Sequence, residues 1–523
     1  MHLPHAAAGT PLRCLVLVAA LAGTAASIHA QESWTYRARL GLFGPAHTAE
    51  DGLQHSRVVA GTRFGFFRGH SARFAGGSST TSLDQTPWIA TPWGTTHRVG
   101  FHDAAHTLAD GRRESVIVAM NSCGRAAGYS SRDSGRTAWL ASPHGGTRRV
   151  GFYDLAHTPA AGAPFSAVVA INATARVLGY SERRDGGRTA WIDPSPWKPP
   201  VVIGLFDAEH TSESGVQFTT PTSLSDTGFS TGDSRQYVGA TPGSTSWRRT
   251  RGGPTVRVGL YSPEYTRSDG THENFTFAVT DSGWVSGVAY RYGLFGHQGV
   301  VAWVANPAGQ TVRVGFYDDV HVSEYGGGIS VSPDGYSPEH PEINDSGYCV
   351  GYSERHGTGS GQTAWMARPD GHTMRIGLYD ADHTTAGGGN YSWPYWLTNS
   401  GYCLGSSTLY GWGSVLLGQS AWFADVTGKT TRIGRWADPI NPIGSHSGDF
   451  AEGITESGYI WGSSSLYFPG GDYDTLVASI TQRRRLRGSH GVDLPRAHRR
   501  ADKPGDLAAA FRRTRLFAGA CDA

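Results

Sequence analysis

The sequence predicts an all-β fold: a closed β-propeller of four-stranded antiparallel blades, eight in number, with the closing blade shared between N- and C-terminal strands and seven blades as the alternative. Three observations predict it. An apolar segment ending in Gly-aromatic-Asp, or a variant of it, recurs eight times, beginning at Arg39, Arg98, Arg149, Val202, Arg257, Arg313, Arg375 and Arg432. The composition is turn-rich and aromatic, with 72 Gly, 11% aromatic residues and only 17% charged ones. No helical period interrupts the repeats.

Each element of the repeat has a physical reading. A short first strand near Ile343 leads into Asn344-Asp345-Ser346-Gly347, a tight hairpin turn in which Gly takes the left-handed position. The same slot holds residues 225–228, 280–283, 398–401 and 455–458, and one copy places Ala175 where Gly is expected. The second strand carries an equivalent Gly at 128, 179, 287, 351, 405 and 462, which implies a backbone or large ring packed close to it. The third strand ends a Thr-Ala-Trp signature or a variant of it at Trp88, Trp139, Trp191, Trp247, Trp303, Trp365 and Trp422, read as core between stacked sheets. The Arg-x-Gly-aromatic segment is the fourth strand. Such a unit buries both faces only by stacking on its neighbours. The chain ends fit ring closure, because Trp34 to Phe43 holds a fourth strand alone and Asp449 to Ile480 holds the first three.

Three domains are expected: a signal peptide at 1–30, the repeat body at 31–481, and a basic tail at 482–523 without a packed fold. The leader has Arg13, an apolar run from Leu15 to Ala22 and small residues from Ala26 to Ala30, which implies a secreted or cell-surface location. No lipid anchor and no transmembrane segment are expected. The tail holds ten Arg and one Lys against four Asp, leaving the repeat body mildly acidic and nucleic acid an unsuitable partner. Cys349 and Cys403 occupy equivalent strand positions and are read as small buried residues, not a bridge.

These elements resemble the extracellular HAF-type repeats of bacteria: GQTAW at 361–365, IGLYD at 376–380, AIN at 170–172 and EIND at 342–345 match that pattern, with Thr-Ala-Trp standing for His-Ala-Phe. The resemblance covers residues 39 to about 480 and implies an exported repeat protein with no assigned reaction.

Candidate chemistry is sparse. Most units continue Asp-x-x-His, giving Asp103 and His106, Asp154 and His157, Asp207 and His210, Asp318 and His321, and Asp380 and His383. A ring of these beside Arg132, Arg183 and Arg355 could bind a divalent metal or an anionic glycan; alternatively Asp caps its turn and His ties the loop to the neighbouring sheet. Tyr265, standing where His is expected in one unit, fits the second reading. The Asp-box-like run from Ser131 to Trp139 has one residue too many, and no catalytic constellation or cofactor motif stands out. Tyr391, Trp393, Tyr395 and Trp396 form the densest aromatic group and suit either sugar stacking or packing between blades. The expected function is therefore a non-catalytic, monomeric propeller that binds a polysaccharide or a cell-envelope protein without a cofactor. A propeller hydrolase or lyase and a purely structural surface protein are the alternatives.

Overall fold

The computed structural model describes residues 39–74, 82–159, 162–194, 198–293, 296–323, 328–331, 343–433, 447–456, 458–466 and 482–483. The leader at 1–30, most of the tail, and Trp34 to Ala38 lie outside these residues.

The described chain is all-β apart from one-turn 3-10 segments. Unit 2 is representative: strands Ser115–Met120, Ala126–Arg132, Gly135–Ala141 and Thr147–Arg149 pair in sequence order, each antiparallel to the next. Seven such four-stranded units span 56–98, 115–149, 166–203, 219–257, 274–314, 328–375 and 392–432. An eighth, at 447–483, has three strands, the third being Gln482–Arg483. The blade-like sheets expected from the sequence are present. Strand pairing does not close a ring among the described residues, since no described pairing links the eighth unit to the first. Residues 40–43, expected within a strand, are not in one.

Within a unit the Trp and the Gly explain each other. Gly128 pairs with Trp139, Gly179 with Trp191, Gly287 with Trp303 and Gly405 with Trp422. A Cβ on Gly179 would sit 2.3 Å from the Ala167 carbonyl oxygen and 2.4 Å from the Trp191 ring, so only Gly fits. The seven third-strand Trp side chains are fully buried. Each contributes roughly 4–6 kcal/mol of apolar transfer at most. Among the described residues only Trp191 of these finds an indole N–H acceptor, Ser181 Oγ at 2.9 Å.

Strand alternation assigns the rest of the signature. Thr137 and Trp139 face the preceding unit, whereas Ala138 and Leu140 face the following one, where Trp191 of unit 3 packs against Ala127 and Ala138 of unit 2. Alanine is small because the next tryptophan lies on it. The first strands of units 1 to 5, 7 and 8 each carry a register shift such as the bulge between Ile117 and Ala119, which bends the strand. The fourth strand of unit 2 covers only the last three residues of the third. The other end of the third strand pairs in parallel with the entry of the next unit, as Arg136 with Phe165 and Gln362 with Tyr391.

The hairpin turns have the expected backbone: Gly228, Gly283, Gly347, Gly401 and Gly458 all have positive φ. Ala175 is forced into the same region at φ 61°. Cys349 and Cys403 are buried, and burial pushes the Cys403 thiol pKa well up. No helix among the described residues is long and apolar enough to cross a membrane.

Candidate functional site

The segment leaving each unit is tied to the next one by a repeated set of hydrogen bonds. After Arg98, the Gly100 N–H donates to Thr147 Oγ1 at 3.3 Å and the Phe101 N–H to Ser130 Oγ at 2.8 Å. Asp103 then caps a single 3-10 turn, its Oδ1 accepting the His106 N–H at 3.2 Å and facing Nδ1 at 2.6 Å. The carboxylate favours a proton on Nδ1, and Nε2 lies 2.9 Å from Thr137 Oγ1. The ring also stacks on Phe101 at 5.0 Å.

The same geometry recurs. His157 lies 2.7 Å from Asp154 and 3.0 Å from Thr189; His321 lies 2.5 Å from Asp318 and 2.9 Å from Thr363. His210 and His383 keep Asp207 and Asp380, at 2.6 and 2.5 Å, but their Nε2 atoms have no hydrogen-bond partner among the described residues. All five His side chains are at most 9% exposed, whereas the Asp side chains are 57–61% exposed. Among the described residues, no three His, Cys, Asp or Glu side chains gather to hold a metal. The neighbouring arginines are engaged locally, Arg183 with Asp185 at 2.8 Å and Arg355 with the Gly359 carbonyl at 3.1 Å.

Unit 4 departs from this plan in a way sequence reasoning missed. Its Thr245 bonds His272, from the following loop, at 2.8 Å instead of His210. Burial, then Arg257 at 3.1 Å and His210, push the His272 pKa down to about 3. At the junction of units 4 and 5, Asp233 accepts from Ser246 Oγ at 2.8 Å and the Thr276 N–H at 3.1 Å, and burial pushes its pKa up to about 7. The only signal in the sequence was the loss of the repeat: Asp233 stands where Tyr129, Tyr180 and Tyr352 stand in other units.

The hairpin turns, read only as turns, also join consecutive units. Asn121 Nδ2 donates to the Asn172 carbonyl at 3.1 Å, and Asn172 Nδ2 to the Ser225 carbonyl at 3.0 Å. Asp226, Asp281, Asp345 and Glu456 each accept a backbone N–H from the preceding unit's turn, at 2.7 to 3.1 Å. These carboxylates serve the stacking.

The aromatic group of unit 7 is mostly turned to packing. Trp393 donates to Gln362, Trp396 meets Trp461 edge-on at 6.3 Å, and burial raises the Tyr395 hydroxyl pKa. Only Tyr391, at 37%, is exposed.

A second aromatic arrangement crosses units 2 to 4 at the end where the second and third strands join. Arg136 lies between Tyr129 and Phe165, 4.3 and 5.3 Å from their centroids, and Arg188 between Tyr180 and Phe218, at 4.0 and 4.6 Å. Phe165 and Tyr180 stack at 6.2 Å, and Arg235 lies 4.3 Å over Phe218. The parallel bridges build this band, because they bring each third-strand Arg beside the entry residue of the next unit. The rings, Arg136 and Arg188 are half-buried, and Arg235 is exposed.

No family model matches the chain, and no curated protein matches it. Solved structures do. One is from a structural and mechanistic analysis of two prolyl endopeptidases, with 10% identity, TM-score 0.36, and coverage of 79% of this chain and 54% of that one. Prolyl oligopeptidase B from Galerina marginata, at 10% identity and TM-score 0.35, is covered over 56% of its length by 79% of this chain. An acylaminoacyl peptidase from Pyrococcus horikoshii, at 10% identity and TM-score 0.30, is covered over 59% by 80% of this chain. The chain thus spans little more than half the length of these structures. These matches are peptidases, and on that finding the expectation of a non-catalytic glycan- or protein-binding propeller is corrected, together with its polysaccharide-hydrolase, lyase and purely structural alternatives. At these identities and TM-scores no activity transfers to the chain.

Proposed function

We propose that this chain is a peptide-handling propeller, exported by its leader, akin to the HAF-type repeats and closed into eight blades, with peptides received on the band that crosses units 2 to 4. The observation that carries this reading is the chemistry of the band. Each of its rings carries a guanidinium of Arg136, Arg188 or Arg235, which leaves a neutral sugar less open ring face on which to stack. Partly exposed guanidinium groups flanked by rings suit a peptide, which supplies carboxylate or carbonyl oxygens together with apolar side chains.

Closure is supported by the first unit. The Gly41 N–H donates to Thr96 Oγ1 at 3.3 Å and the Leu42 N–H to Ser71 Oγ at 2.9 Å, the same pair that Gly100 and Phe101 make on unit 2. Residues 40–43 therefore lie on unit 1 as the exit of a preceding blade would. Val58 is 45% exposed where Val168 and Thr276 are buried, and Trp461 is 41% exposed where Leu178 and Leu404 are buried. Among the described residues, the first and eighth units each expose a position that internal units bury.

Titration of the purified chain with short peptides and with neutral oligosaccharides, followed by calorimetry, tests the proposal. Micromolar peptide binding with no saccharide binding is expected; saccharide binding alone would refute it.

A further inference from the structure

We propose that Arg136 is the anchor of the band, binding a peptide carboxylate by the fork geometry that Glu182 already supplies to Arg188 one unit along; this rests on the peptide-handling reading. The two arginines occupy the same place in units 2 and 3. Each sits near the start of the third strand, each bridges in parallel to an entry Phe, and each lies between a second-strand Tyr and that Phe. They differ in their polar partners, and Arg188 also donates from Nη1 to Thr220 Oγ1 of the following unit at 3.3 Å. Arg188 pairs across the hairpin with Glu182, whose Oε1 accepts from Nε at 3.0 Å and from Nη2 at 2.6 Å. Arg136 pairs across the hairpin with Ser131, whose hydroxyl donates to Glu114 at 2.9 Å. Arg136 is half-buried, lies against a ring on either side and has no ion pair among the described residues.

An arginine stacked on both faces loses little side-chain freedom when a carboxylate docks, so its fork is pre-organised for two parallel N–H···O bonds. The flanking Tyr129 and Phe165 are placed to cover an apolar side chain beside that carboxylate. The carboxylate comes from either a peptide C-terminus or an acidic side chain, and the test separates these sources.

The experiment is isothermal titration of the full chain with three probes: acetyl-Ala-Ala-Phe as free acid, the same peptide as C-terminal amide, and acetyl-Ala-Glu-Phe amide. Binding of the first probe alone assigns the site to C-termini, and binding of the third assigns it to acidic side chains. Arg136→Gln is expected to weaken binding at least tenfold. Ser131→Glu, which reproduces the unit 3 pair, is expected to do the same. Glu182→Ser, which removes the carboxylate from Arg188 and leaves its bond to Thr220, is expected to raise the stoichiometry from one to two. Circular dichroism of each variant checks folding, and Glu182→Ser keeps the test decisive if Ser131→Glu does not fold. Peptide binding by the wild type that is unchanged in Arg136→Gln, or equal for acid and both amides, overturns this inference alone. No peptide binding by the wild type overturns the peptide-handling reading with it.

Discussion

Replacing His157 by Ala, and separately His210 by Ala, measures what the Asp-x-x-His turn contributes to stacking. His157 is held at both ring nitrogens, 2.7 Å from Asp154 and 3.0 Å from Thr189, and stacks on Phe152 at 4.8 Å. Its removal strands the buried Thr189 hydroxyl, at about 1–3 kcal/mol, and forfeits a further bond of about 1 kcal/mol to a carboxylate that is largely exposed. With the lost ring contact the total is about 3 kcal/mol. His210 makes the Asp207 bond at 2.6 Å, but Thr245 is already held by His272. His210→Ala should therefore cost about 1–2 kcal/mol less than His157→Ala. The two sites lie in different units, so the double variant should be near the sum of the singles. Urea denaturation gives the global loss. Hydrogen exchange at Arg188–Asp193 locates it, since repeat stacks open locally. Equal losses at the two positions would refute the argument that the Thr bond carries the difference. Unchanged stability in both, with loss of metal or ligand uptake, would reassign these side chains to binding.

Other outcomes follow from the same geometry. Gly179→Ala places a Cβ 2.3 Å from the Ala167 carbonyl oxygen and 2.4 Å from the Trp191 ring, so it should destabilise by about 2–3 kcal/mol, read as a lower urea midpoint. Ala175→Gly relieves the φ of 61° and should stabilise by about 0.5–1 kcal/mol after the unfolded-state entropy of Gly, with increased exchange protection in the 172–176 turn. His272 has its folded pKa near 3 against 6.5 in the unfolded chain, so the unfolded state takes up the proton first. Stability should fall as pH drops from about 6.5 toward 3, and His272→Gln should flatten that part of the pH profile of the melting temperature.

Much of the fold was legible because its determinants are local and repeated. The Gly in each second strand announced a close contact, and the contact is the Trp ring together with the neighbouring carbonyl of the same sheet. Ala175 was marked as an anomaly by its position alone, and the backbone pays for it with a positive φ. The Asp-x-x-His pairs were legible as recurring turns, but one sequence could not separate a ring of ligands from a ring of ties. The acids of the hairpin turns passed unnoticed as ties, because their acceptor role joins residues about 55 positions apart. His272 was missed because it competes for Thr245 from a different loop.

By itself the sequence determined the strand order, the turn chemistry and the identity of the core ring, since each depends on residues within one hairpin or on a repeating side-chain period. Only the tertiary structure decided which groups meet across units: that Thr189 closes on His157, that Trp393 turns toward Gln362, and that Arg136 and Arg188 lie over the entry phenylalanines of the units that follow them. These depend on how one sheet is laid on the next, and a strand pattern specifies its faces without specifying the partner that will cover them.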